Sequence, residues 1–74
     1  MQMQMTMEAD GTIRATNGYA DLIIKHVADG DGRIGIWYEG DEQGGMDSII
    51  HYERSMKEAM GYVADTLLCF QRGR

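Results

Sequence analysis

Residues 19–39 read YADLIIKHVADGDGRIGIWYE, and their alternation sets the architecture. From Tyr19 to Val27, the residues Ala20, Leu22, Ile24 and His26 point one way, and Tyr19, Asp21, Ile23, Lys25 and Val27 the other. A period of two marks a β-strand. Asp29-Gly30-Asp31-Gly32 then turns the chain, and Arg33 to Glu39 returns as a second strand. Here Ile34, Ile36 and Tyr38 share one face, with Gly35 and Trp37 on the other. Neither strand has a purely polar side, so a single covering layer leaves Tyr19, Ile23, Val27 and Trp37 uncovered.

Upstream, Met1, Met3, Met5 and Met7 alternate with Gln2, Gln4, Thr6 and Glu8, a strand with one thioether face and one polar face. Asp10-Gly11 is a hairpin turn signal, and Thr12 to Thr16 runs back along the first strand. Asn17-Gly18 marks a second turn or a bulge, so residues 12–27 read as two strands or as one bent strand. Downstream, residues 40–45 form a polar, glycine-rich loop with no apolar residue to hold it, which predicts mobility. Asp47 to Glu53, centred on Ile49-Ile50, reads as a further strand.

Ser55 opens the helix. Ser55-Met56-Lys57-Glu58 is a capping box, in which the serine oxygen takes an early backbone N–H and the glutamate reaches back. Met56, Ala59, Met60, Val63, Leu67 and Phe70 fall on one apolar stripe. Arg72 and Arg74 suit the negative end of the helix dipole, and Gly73 suits the stop. The expected fold is α+β, one domain over residues 1–74. It is an antiparallel four- to five-stranded meander, with strands near 1–8, 12–16, 19–27, 33–39 and 47–53. One amphipathic helix near 56–72 packs on one face.

Composition narrows the function classes. A chain of 74 residues buries only ~60% of its unfolded surface, so the core is thin. The single Cys69 makes no internal disulfide, which points to a reducing, cytoplasmic setting. No run of ~18 apolar residues predicts a membrane span. Met1 to Met5 also lack the positive region and continuous apolar stretch of a signal peptide. The net charge of −5 disfavours direct contact with nucleic acid, whose phosphates require Lys and Arg. Residues 1–53 hold ten acids against three bases, whereas residues 54–74 hold two acids and four bases. The negative field therefore belongs to the sheet region.

Motifs for chemistry are weak. Asp29-Gly30-Asp31-Gly32-Arg33-Ile34 looks like the middle of a calcium loop, but the first and twelfth ligand positions fall on Val27 and Tyr38. A hairpin turn explains it better. His26 and His51 fall short of a zinc ligand set and suit half-buried, hydrogen-bonded strand positions. Cys69 sits near the apolar stripe, where a thiol is inert packing. Ser48 and Ser55 have no positioned base, and neither a phosphate loop nor a dinucleotide fingerprint is present. These absences predict a protein that is no enzyme and uses no metal or cofactor.

The surplus apolar groups offer a partner-binding surface: Tyr19, Ile23 and Trp37, ringed by Asp21, Glu39, Asp41, Glu42 and Asp47. An exposed cluster with an aromatic anchor marks an interface, unless the methionine strand folds over it. Acids around it suit a protein with a basic surface.

In its small size, acidity, lack of enzymatic motifs and sheet-plus-helix plan, the whole chain resembles the anti-CRISPR proteins of phages and other mobile elements. The resemblance is one of format and transfers no individual residue. It implies a non-enzymatic inhibitor that binds a Cas protein or surveillance complex and occludes its nucleic-acid-binding surface. The basic C-terminal helix departs from the pattern of a uniformly acidic DNA mimic. The alternative is a small homodimeric phage or bacterial accessory module whose exposed sheet face pairs with itself.

Overall fold

The structure, a computed structural model, describes residues 3–27 and 32–72, without the side chains at 46 and 70–72. Among these residues, five strands form one antiparallel sheet in chain order. They are β1 (Gln4–Met7), β2 (Ile13–Thr16), β3 (Asp21–His26), β4 (Ile34–Tyr38) and β5 (His51–Glu53). Helix α1 (Met56–Arg72) follows and packs against β4 and β5. The α+β meander expected from the sequence is the observed fold. The Asp29 and Asp31 turn, the first two residues, the Gly73-Arg74 end and the Phe70 side chain lie outside the described residues.

Register explains the core. Met7, Ile13, Ile24, Ile36 and His51 stand opposite one another across the five strands. Met5, Ala15, Leu22 and Tyr38 form the next row on the same face. Ala59, Val63 and Leu67, spaced by four, press onto this face and are fully buried. Met3, Met5, Ile50, Met56 and Tyr62 fill the margins. Met60, expected in the stripe, is 36% exposed, because it lies on the helix flank beside that narrow line.

Local chemistry fixes the helix at both ends. Ser55 Oγ accepts the Glu58 N–H at 3.2 Å, as the capping box predicts, and the Glu58 carboxylate turns back onto the Ser55 hydroxyl, which donates to Oε1 at 3.2 Å. Far along α1, the Asn17 side-chain amide donates to the Leu67 carbonyl at 2.8 Å. The same Asn17 accepts the Tyr19 and Ala20 N–H groups, so Asn17-Gly18 is a true turn and residues 12–27 form two strands.

The second face departs from expectation. Residues Glu42–Ser48 are not loop and strand but 3-10 turns, joined at Gly45, whose φ of 59° is open to glycine. The expected strand at 47–53 shrinks to His51–Glu53, with Ile50 N–H bonded to the Ile36 carbonyl at 2.9 Å. The 3-10 segment lies against β4, and the loop expected to move is anchored there.

The Trp37 ring lies over Gly35, where a methyl would come within 2.7 Å of both Trp37 Cζ3 and Ile49 Cδ1. Gly35→Ala should therefore cost about 1–3 kcal/mol through overpacking. Gly61, exposed on α1 with nothing near its Cβ direction, gives the opposite sign. Gly61→Ala should stabilise by up to about 1 kcal/mol through helix propensity. Urea denaturation of both variants checks the pair.

Candidate partner-binding surface

The residues expected to bind a partner divide into a sealed centre and an exposed rim. Ile23 and Trp37 stand opposite each other on β3 and β4, on the face away from α1, as the alternation requires. Neither is available for docking: Ile23 is 1% exposed and Trp37 2%. This corrects the expectation of an uncovered apolar cluster. The cover comes from the 3-10 segment, whose Gly45 carbonyl accepts Trp37 Nε1–H at 2.8 Å, and from Ile49 beside Gly35. Met3 and Met5 of the methionine strand pack instead against the helix-side core. Val27, also expected bare, is half-buried.

Charged side chains complete the seal. Arg14 stands opposite Ile23 on β2 and pairs with Glu39 beyond β4, and with Glu8 at 3.2 Å. That reach carries the Arg14 stem across the strand that holds Ile23. Lys25 Nζ lies 5.4 Å from the Trp37 ring centroid, and Arg33 lies 5.4 Å from that of Tyr52, both in cation–π range.

The rim remains outside. Asp21 and Glu39 stand side by side, joined by the Glu39 N–H to Asp21 carbonyl bond at 3.0 Å. Asp21, Asp41 and Asp47 are exposed, and Glu42 is half-buried. Tyr19, 57% exposed, sits in the turn before Asp21, not on the strand. Glu39 is engaged by Arg14, and Glu42 accepts the Gly40 N–H at 2.8 Å. The Glu42 carboxyl is held below its ordinary value of 4.5, mainly by its own backbone N–H. Partial burial opposes this, and Gly40, Lys25 and Arg14 assist. Of the residues expected to bind, the acids thus lie at the rim, while Ile23 and Trp37, the expected apolar anchor, are buried.

The other candidate groups fall elsewhere. His51 Nε2 lies 2.7 Å from Glu53 Oε2, and its ring stacks on Tyr62 of α1 at 3.9 Å and 4°. That half-buried clamp ties β5 to the helix. His26, read as half-buried, is exposed, and so is Cys69, read as packing. His26 keeps its alternation, opposite Ile34, but lies at the end of β3, whereas Cys69 lies about 200° round the helix from buried Leu67 and so faces away from the apolar stripe. Among the described residues no group of three or more His, Cys, Asp or Glu side chains is placed to hold a metal ion. A shallow cavity of about 250 Å³ is lined by Gln4, Thr16, Asn17 and Gly18, none of them ionisable.

In comparisons with known proteins, no family model, no curated protein and no solved structure matches the chain.

Trp37 is the single tryptophan, so its emission reports the seal directly. The native spectrum should be blue-shifted relative to the urea-unfolded chain and resist iodide quenching. Because the Glu42 pKa is depressed, its stabilising effect is present above its unfolded value near 4.5. It is lost as pH falls through the lower folded value. The urea midpoint, read by Trp37 emission, should therefore fall slightly on acidification below about 4.5, and Glu42→Gln should reduce that dependence.

Proposed function

We propose that this chain is a non-catalytic binding protein of the anti-CRISPR type. It docks its acidic edge on the basic, nucleic-acid-binding surface of a Cas protein or surveillance complex and blocks access to it. The observation that carries this reading is the adjacency of Asp21 and Glu39 at the end of β3 and β4, continued along the chain by Asp41, Glu42 and Asp47 of the 3-10 cover, in a chain of net charge −5. Tyr19, in the turn beside Asp21, supplies the exposed aromatic in place of Trp37.

The buried centre changes the character of the contact. With Trp37 and Ile23 committed to the interior, docking rests on exposed charge, which is screened over about 8–10 Å at physiological salt. Such a contact gains chiefly in encounter rate and orientation. Self-pairing through this sheet face, the alternative the sequence left open, loses its apolar surface to the same cover. No helix among the described residues is long and apolar enough to cross a membrane, which accords with a partner in solution.

Affinity capture from a host carrying a CRISPR system is the test. The immobilised chain should retain a Cas protein at low salt and release it as salt rises. Asp21→Asn/Asp41→Asn/Asp47→Asn should weaken retention by about tenfold or more. Failure to hold any Cas protein, at low as well as moderate salt, would end this reading.

A further inference from the structure

The outer edge of β1 is the least defended part of the fold. Among the described residues no strand lies beyond it, and none of the first seven side chains carries a charge. Exposed edge strands are commonly blunted by lysine, proline, a bulge or a covering loop. Gln4-Met5-Thr6-Met7 has neither of those residues, and it pairs with β2 without interruption.

The hydrogen-bond phase can be read along the ladder. Asn17 donates its backbone N–H to Ala20, so residues 13, 15 and 17 of the β2 segment aim at β3. Residues 12, 14 and 16 then aim at β1, consistent with the Glu8 N–H to Thr12 carbonyl bond at 2.8 Å. It follows that Gln4, Thr6 and Glu8 turn their backbone groups inward, while Met3, Met5 and Met7 turn theirs outward.

We propose that β1 is a self-association edge, pairing antiparallel with β1 of a second copy about a two-fold axis at Met5. In that register Met5 meets Met5 and Met3 meets Met7 of the other copy. Each is a pair of outward-facing residues able to exchange two backbone hydrogen bonds. Gln4 meets Thr6 on the other face. The Met/polar alternation is thus self-complementary, as a two-fold interface requires. Met7, 68% exposed in the single chain, gains an apolar neighbour.

Paired edges alone fall short of the roughly 1,000 Å² that a stable interface buries. The pairing is therefore weak and concentration-dependent. A two-fold axis normal to the sheet puts both helices on one side, and because α1 packs over β4 and β5, away from β1, the seam is lined by Met3, Met5 and Met7 of both copies. The acidic edge lies on the opposite face and stays open, so this assembly is independent of partner binding.

Sedimentation equilibrium of the untagged chain, from low micromolar to millimolar, tests it. A monomer–dimer equilibrium is expected, with dimer dominant at the upper end. Gln4 and Thr6 are exposed, so Gln4→Lys/Thr6→Lys and Gln4→Glu/Thr6→Glu leave the single chain folded, as Trp37 emission will verify. Each variant alone should dimerise about tenfold more weakly, since like charges stand opposite across the seam. An equimolar mixture of the two should recover association. A parent chain that stays monomeric at millimolar concentration overturns the proposal. So does a dimer whose affinity neither charged variant changes, because its contact then lies elsewhere.

Discussion

The indole of Trp37 lying on Gly35, with its N–H given to the Gly45 carbonyl, is the constraint from which the rest of the structure follows. A five-stranded sheet with one helix has two faces and one cover. The Gly35–Trp37 pair solves this by letting the largest side chain lie flat, so that a thin glycine-rich segment closes the second side. Fully burying a large apolar side chain is worth about 1.5–3 kcal/mol. In a chain this small, that is a substantial share of the net stability. The polar segment 40–48 is thereby structural, and the buried indole N–H is satisfied, as a buried donor must be.

Charge is arranged around this cover with some economy. Arg14 serves two carboxylates, Glu8 and Glu39, and spans the strand that carries Ile23. Lys25 lies over the indole. Three basic residues in the first 53 are thus partly drawn into the face they decorate, while exposed Asp21, Asp41 and Asp47 keep the negative field outward. Surface pairs of this kind add little stability each. Their larger effect is on the sign of the potential a partner meets.

Much of this was legible in the residues themselves. The alternation of 19–27 and 33–39 gave the central hairpin and assigned Ile23 and Trp37 to the correct face. The serine–glutamate spacing gave the helix start, and the charge asymmetry located the acidic edge. What alternation could not supply was the fate of 40–50. Gly45 carries no hydrophobic signal, yet its positive φ allows the chain to fold back over Trp37. Ile49 and Ile50 resemble a strand centre, but one packs at the Trp37 cover and the other at the helix-side core. One clue was present: a large aromatic two residues from a glycine on the same strand face is a side chain with room to lie down.

The meander has a further mechanical meaning. Every strand pairs only with its neighbours in sequence, but the two ends of the sheet are held differently. β5 is followed directly by α1 and clamped to it through His51 and Tyr62, so it cannot detach without disturbing the helix. β1 is laced to β2 alone along its backbone and can peel away by itself, placing it at the low end of local opening free energies. Proteolysis and amide exchange would then begin at the N-terminal strand, and any chain that docks there would slow both by holding the zipper shut.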